Sequence, residues 1–175
     1  SRVFLNRRDG TFADATTPVI TDENGMGAAV GDYDNDGDMD WFVSSIFDVN
    51  GIPRDEWGIT GNRMYRNRGD GSFDDATDAT GVRQGGWGWG SSFADFDNDG
   101  WLDLFHVNGW PFEVDTFLED PARLFMNDGQ GGFVESSVAA GVASTAQGRG
   151  VVCFDHDRDG DIDIFIANYR GAPQL

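Results

Sequence analysis

Three stretches of the chain carry the residues best suited to chemistry, and all three follow one pattern, D-x-D-x-D-G-x-x-D. The first is Asp32-Tyr33-Asp34-Asn35-Asp36-Gly37-Asp38-Met39-Asp40. The second is Asp95-Phe96-Asp97-Asn98-Asp99-Gly100-Trp101-Leu102-Asp103, and the third is Asp155-His156-Asp157-Arg158-Asp159-Gly160-Asp161-Ile162-Asp163. The copies start 63 and 60 residues apart (32 to 95, 95 to 155). At least four carboxylates within nine residues repel one another, at roughly 1–4 kcal/mol per pair for charges about 4 Å apart. A hard divalent cation reverses the sign of that interaction. Ca2+ takes about 6–8 oxygens, and known calcium loops draw them from positions 1, 3 and 5 and a backbone carbonyl at 7, with Gly at 6 for the turn. Here Asp32, Asp34 and Asp36 hold positions 1, 3 and 5, Gly37 is at 6, Asp38 offers its carbonyl at 7, and Asp40 at 9 closes the shell. The same positions fall on Asp95, Asp97, Asp99, Trp101 and Asp103, and on Asp155, Asp157, Asp159, Asp161 and Asp163. The Trp101 side chain cannot bind a cation, so only its backbone oxygen can serve. One such loop reads equally well as an acidic turn, because Asp, Asn and Gly are ordinary turn residues. Three in register point to calcium, one ion per loop. Mg2+ fits less well, because it demands octahedral geometry and retains its waters.

The bulk composition agrees with a folded, acidic domain. Its 31 acids against 12 bases give a net charge of −19, and 39% of the residues are hydrophobic. Three bound Ca2+ would bring −19 to −13. Such a surface repels nucleic acid and anionic membranes, so neither is expected as a partner. A single cysteine, Cys153, rules out an internal disulfide and reads as a small apolar strand residue. No run of 18 apolar residues, secretory leader or N-x-S/T acceptor is present. The chain opens on Ser1-Arg2-Val3 without Met, which is expected of a processed or partial chain.

The elements that must position the loops repeat with them. Gly25-Met26-Gly27-Ala28-Ala29-Val30 aligns with Gly88-Trp89-Gly90-Ser91-Ser92-Phe93 and Gly148-Arg149-Gly150-Val151-Val152-Cys153 ahead of each loop. Trp41-Phe42-Val43, Leu104-Phe105-His106 and Ile164-Phe165-Ile166 follow it. Short apolar runs bounded by turn residues read as buried strands. A second hairpin also recurs. Arg2-Val3-Phe4-Leu5-Asn6 matches Arg63-Met64-Tyr65-Arg66-Asn67 and Arg123-Leu124-Phe125-Met126-Asn127, each followed by a Gly turn and then Phe12, Phe73 or Phe133. The unit is four antiparallel strands in about 60 residues, the content of a propeller blade. The fold class is therefore all-β, of propeller type. Residues 1–16 hold the outer hairpin of one blade, 26–78 and 88–138 two full blades, and 148–168 an inner half-blade. That makes about three blade equivalents, whereas closed propellers have roughly 4–8. An open half-blade leaves backbone groups unpaired. Either the rest of a longer parent covers it, or the hairpin of another copy adds to it.

G-x-G-x-x-x-x-D-x-D-x-D-G-x-x-D-[LIW]-F, followed by N-x-G-D-G-x-F-x-x-x-T, resembles the FG-GAP, or VCBS, repeat used by integrin α-subunit propellers. Gly86-Trp87-Gly88-Trp89-Gly90 and Gly61-Asn62-Arg63-Met64-Tyr65-Arg66-Asn67 are most similar to secreted members whose propeller precedes an ASPIC/UnbV domain. The resemblance implies Ca2+ in each loop on one face of the propeller, an extracellular location, and a role in adhesion or in binding a protein or glycan. The chain departs from the pattern in having few blades, and it reaches Leu175 before any ASPIC/UnbV domain.

Other motifs carry less. Two long connections, Phe47 to Asn62 and Asn108 to Ala122, bear Trp57, Trp110, Phe112, Phe117, Glu113, Asp115, Glu119 and Asp120. They read either as a binding surface or as aromatics pinning each connection to its own blade. Arg68-Gly69-Asp70 spells the integrin-binding tripeptide, but it lies in a tight turn whose chemistry already asks for Gly and Asp. The two histidines, His106 and His156, belong to no nucleophile–base pair visible in sequence. A non-catalytic extracellular interaction module is the leading expectation. The alternatives are a subunit assembling by half-blade exchange, and the scaffold part of a larger enzyme.

Overall fold

A computed structural model describes residues 1–50, 58–112 and 115–175. Trp57 and Glu113 lie outside the described residues. Twelve strands form four antiparallel sheets among them. The first sheet is the hairpin β1 (Phe4–Asn6) and β2 (Phe12–Asp14). The second runs in chain order through β3 (Gly27–Gly31), β4 (Asp40–Ser44), β5 (Arg63–Asn67) and β6 (Phe73–Asp75). The third repeats it with β7 (Gly88–Ala94), β8 (Asp103–Asn108), β9 (Arg123–Asn127) and β10 (Phe133–Glu135). The last is β11 (Gly148–Phe154) with β12 (Asp163–Asn168). The all-β, blade-like architecture expected from the sequence is the one observed. No sheet closes on itself among the described residues.

Two short helical turns were not anticipated: α1 (Thr77–Thr80) and a 3-10 turn at Asp115–Phe117. A single turn is too short to show a helical period. Local bonds hold α1. Asp75 Oδ1 accepts from Thr77 N at 3.0 Å, Thr80 Oγ1 donates to the Ala76 carbonyl at 3.0 Å, and Gly81 ends the turn at φ 79°.

The sheets pack face to face, with innermost strands adjacent: β3 lies beside β7, and β7 beside β11. Gly27 and Gly90 permit that approach. A Cβ at Gly27 would collide with the Trp89 carbonyl, and one at Gly90 would lie 2.8 Å from the Arg149 carbonyl. One core cluster joins Ala29, Tyr33, Phe42, Met64 and Val82 of the second sheet region to Leu104 and Phe125 of the third. A second joins Phe105, Val107 and Leu124 to Ile166. Leu104 and Phe105 are neighbours in β8 yet serve different cores, because that strand is buried on both faces. Such a strand reads as a continuous apolar run.

Register repeats with the sequence. Val43 pairs with Arg63, and His106 with Arg123. Beyond the last sheet, Ile166 exchanges backbone hydrogen bonds with Gln174 at 2.8 and 3.0 Å. Asn168 Nδ2 also donates to the Ala172 carbonyl at 2.7 Å, as Asn108 Nδ2 donates to that of Pro121 at 2.8 Å. Gln174 therefore holds the position of Arg63 and Arg123, and residues 172–175 begin a third strand.

His106 is the one histidine in this core among the described residues. It is wholly buried, lies 5.9 Å from the Phe42 ring and 5.8 Å from that of Phe125, and meets Asn62 Nδ2 at 3.3 Å. Burial, and then Arg123, push its pKa down to about 4. A folded pKa below the unfolded one means that the unfolded chain takes up a proton first as pH falls. Stability present above pH ~6.5 is therefore lost on acidification towards pH ~4, by roughly 3 kcal/mol for this group. His106→Leu removes that loss. Urea unfolding at pH 7 and pH 4.5 is expected to show a smaller pH difference for the variant than for the parent chain.

Candidate metal centres

Each acidic loop sits at the turn from the innermost strand of a sheet to the second, so the strands fix both its ends. In all three, Gly at position 6 has positive φ: 95° at Gly37, 90° at Gly100 and 101° at Gly160. Position 4 also lies in the left-handed region, at Asn35, Asn98 and Arg158. Only Gly adopts that conformation freely, with Asn the best of the rest.

The loop is wound around its first carboxylate. Asp32 accepts from Asp36 N at 3.0 Å and Gly37 N at 2.9 Å, and Asp95 from Asp99 N at 3.1 Å and Gly100 N at 2.9 Å. Asp155 accepts from Arg158 N at 2.6 Å and Gly160 N at 3.1 Å. Asp36, Asp99 and Asp159 then accept from the N–H of position 7, at 3.0, 2.9 and 3.0 Å. The winding gathers oxygens. Asp32, Asp34 and Asp36 each bring a carboxylate oxygen within 4.8 Å of the others, as do Asp95, Asp97 and Asp99, and Asp155, Asp157 and Asp163. Asp34 Oδ1 is buried without a hydrogen-bond partner among the described residues. Burial, and then Asp36, hold the Asp34 carboxyl above the usual carboxylate range. Clustered anionic oxygens with an unsatisfied lone pair are a donor set that fits a hard cation. Such an ion would neutralise the triad and lock the turn.

Position 9 has a second task that its spacing did not disclose. Asp40 is fully buried, and its oxygens accept from Tyr33 N at 3.2 Å and Asn67 N at 2.8 Å. Asp103 does the same for Phe96 N at 2.9 Å and Asn127 N at 2.7 Å. Each carboxylate thus ties the loop to the end of the third strand. Asn67 Nδ2 completes the tie by donating to the Met39 carbonyl at 3.0 Å, and Asn127 Nδ2 by donating to those of Leu102 at 3.1 Å and Tyr33 at 2.8 Å. Among the described residues Asp163 receives His156 N alone, at 2.9 Å, and of the three position-9 carboxylates it is the one that joins its cluster. Burial pushes the Asp40 pKa up to about 6, against the two N–H donors, and raises that of Asp103 for the same reason. The sequence reading placed position 9 in the ion's shell and missed Asn67 and Asn127. The recurrent Asn closing each R-x-x-x-N strand was the available signal.

Successive loops are also joined. Asn35 Nδ2 donates to the Gly100 carbonyl at 3.1 Å, and Asn98 Nδ2 to Asp161 Oδ1 at 2.7 Å. The three candidate centres therefore lie in a row along one face. At position 7 the side chains turn elsewhere: Asp38 lies against Gly69, Trp101 against Gly129, and Asp161 holds Asn98.

In the second long connection, Trp110, Phe117 and Asp120 stay close to their own blade. Trp110 stacks on Trp87 at 4.7 Å with ring planes 2° apart, and Phe117 packs edge-on against Trp87 at 5.3 Å. Asp120 is buried, accepts from Trp87 N at 2.6 Å, and has its pKa pushed up to about 6 by that burial. Phe112 reaches the next sheet, 6.0 Å from Tyr169. At the Arg68-Gly69-Asp70 turn, the Arg68 Nε donates to Asp74 at 2.8 Å and Asp70 accepts from Ser72 N at 2.9 Å. Both charged groups of the tripeptide are engaged within their own hairpin.

A profile of the FG-GAP-like repeat matches residues 1–43 and 48–106. Cartilage acidic protein 1 of Mus musculus is 45% identical over 56 residues, 31% of this chain and 9% of that protein. The protein of the same name from Homo sapiens is 45% identical over 56 residues, 31% of this chain and 8% of its own length. That from Xenopus tropicalis is 43% identical over 56 residues, again 31% of this chain and 9% of its own length. The match thus spans less than a tenth of the length of these curated relatives.

The two carboxylate roles separate experimentally. Asp103→Ala strands two N–H groups in a buried setting and is expected to cost about 2–5 kcal/mol even in excess chelator. Asp99→Ala, at an exposed position, is expected to cost less than about 1 kcal/mol under the same conditions. Equal losses in chelator, measured by urea unfolding, would contradict the division.

Proposed function

Because this chain belongs to the FG-GAP-like repeat family, we propose that it is a calcium-clasped, non-catalytic interaction module of an extracellular protein. One observation carries the reading: three homologous carboxylate clusters in a row, linked through Asn35 and Asn98. Ca2+ at each would be held by Asp32, Asp34 and Asp36, by Asp95, Asp97 and Asp99, and by Asp155, Asp157 and Asp163, with backbone oxygens at position 7 available to complete the shell. The ion supplies charge neutralisation alone. The chain's own residues do the rest: position 9 anchors the loop, and the sheets carry the surface presented to a protein or glycan partner.

In an extracellular setting the proposed sites would fill. Extracellular calcium modules bind with Kd of order 10⁻⁴–10⁻³ M. At ~1 mM Ca2+ each such site adds about 0.4–1.4 kcal/mol. The likeness to relatives that are by name cartilage proteins favours the same setting. A non-catalytic role fits the surroundings of the histidines: His106 is sealed in the core, and His156 packs edge-on against Phe154 at 6.0 Å. Among the described residues no helix is long and apolar enough to cross a membrane.

Calorimetric titration of the chelated protein is expected to give three Ca2+ per chain. Saturation with ~1 mM Ca2+ should raise the melting temperature by roughly 3–15 °C, the range that about 1–4 kcal/mol produces in a domain of this size. Asp36→Ala, Asp99→Ala and Asp157→Ala should each reduce the stoichiometry. An unchanged melt and no heat of binding would remove the metal from the proposal.

A further inference from the structure

We propose that Arg66 is a built-in competitor of the cation at the first carboxylate cluster, so that Asp32, Asp34 and Asp36 bind Ca2+ more weakly than Asp95, Asp97 and Asp99 do. The inference rests on the metal reading proposed above and adds to it an order of filling.

The two clusters are alike in their own residues. Each gathers the aspartates of positions 1, 3 and 5, and each is wound onto the first of them by the N–H groups of positions 5 and 6. They differ in what the outer hairpin of their sheet brings up to them. In β5–β6 Arg66 stands opposite Asp74. In β9–β10 the same places hold Met126 opposite Val134. A charged pair in the second sheet thus has an apolar pair as its counterpart in the third, where Met126 packs against the core of Phe105, Leu124 and Ile166.

Arg66 reaches the first cluster. Its Nη1 lies 3.9 Å from Asp34 Oδ2, and its Nη2 lies 3.6 Å from Asp74 Oδ2. Asp74 cannot neutralise it alone, because Arg68 already holds both Asp74 oxygens, donating from Nε at 2.8 Å and from Nη2. Two guanidinium groups share one hairpin carboxylate, so one positive charge is left for the cluster to meet. Among the described residues no arginine comes within ion-pair distance of Asp95, Asp97 or Asp99.

Arg66 cannot withdraw far. Its backbone is fixed in β5 by the pairing with Asp74. Its side chain lines a cavity of about 630 Å³ between the second and third sheets, with Tyr33, Asp34, Asp74 and Trp101 among the other walls. The cavity leaves room for the guanidinium to turn aside when an ion arrives, but its charge stays beside the loop. The side chain is 46% exposed, so water screens it and the aqueous figure for charge repulsion applies. A unit charge and a divalent one separated by roughly 6 Å of aqueous medium repel by the equivalent of about tenfold in binding. As calcium falls, the first loop therefore empties before the second.

Calorimetric calcium titration of the chelated 175-residue chain tests this, with mutation telling the clusters apart. Asp36→Ala should remove a binding event about tenfold weaker than the one that Asp99→Ala removes. Arg66→Met installs the residue that β9 has at the matching place, and it should tighten the first event about tenfold while leaving the second within about twofold. Arg66→Gln, neutral but still able to donate to Asp74, should tighten it likewise. Arg66→Lys keeps the positive charge and should leave the first event weak, whereas a purely structural arginine would be replaced no better by Lys than by Gln. Equal affinities at the two clusters, or Arg66→Met and Arg66→Gln chains that bind as the parent does, would overturn this inference and leave the metal reading standing. The absence of any calcium uptake would overturn both.

Discussion

Mutual repulsion among clustered carboxylates is the constraint that shapes this molecule. At least four anionic groups share nine residues three times over, and a chain free to choose would spread them. It cannot spread them here, because the two strands that flank each loop are paired. The loop answers by turning backbone N–H groups inward onto positions 1 and 5. It also sends position 9 down into the sheet, where N–H donors from two different segments meet it. What remains is a cluster of carboxylate oxygens in which Asp34 Oδ1 has no hydrogen-bond partner among the described residues, and this is the part of the loop that fits a cation.

The buried position-9 carboxylate also explains how loops and sheets cohere. An uncompensated charge in such a place would be costly, but two N–H donors make it a linchpin. It joins the first turn of a blade to the end of the third strand, so loop, second strand and third strand order together. The sheets then stack through small residues at the axis and large ones further out. β8, walled on both faces, shows what a complete neighbourhood looks like. β1–β2 and β11–β12 show the opposite, with large apolar side chains in water.

These two features point the same way functionally. The three loops, laced through Asn35 and Asn98, set their carboxylate clusters in a row along one face of the molecule. A strongly acidic surface discourages indiscriminate contact with other acidic molecules. Such an arrangement is the basis of the interaction role proposed above.

Much of this was legible in the residues. The period of about 60, the aspartate spacing, the Gly turns and the paired apolar runs determine strand order, loop position and which carboxylates gather, because each is a local property: side-chain alternation, turn conformation and donor chemistry act over a few residues. The short helical turn at Thr77–Thr80 escaped, being too brief to have a period. Several matters were left to the tertiary structure. Position 9 spends its oxygens on Asn67 and Asn127, Asn35 and Asn98 lace neighbouring loops, Gln174 stands where Arg63 and Arg123 stand, and Gly27 and Gly90 face the backbone of a neighbouring sheet. Each of these joins groups from separate strands or separate sheets. A sequence pattern states which atoms are available, but only packing brings the far partner within the roughly 3 Å at which a hydrogen bond or a backbone collision exists.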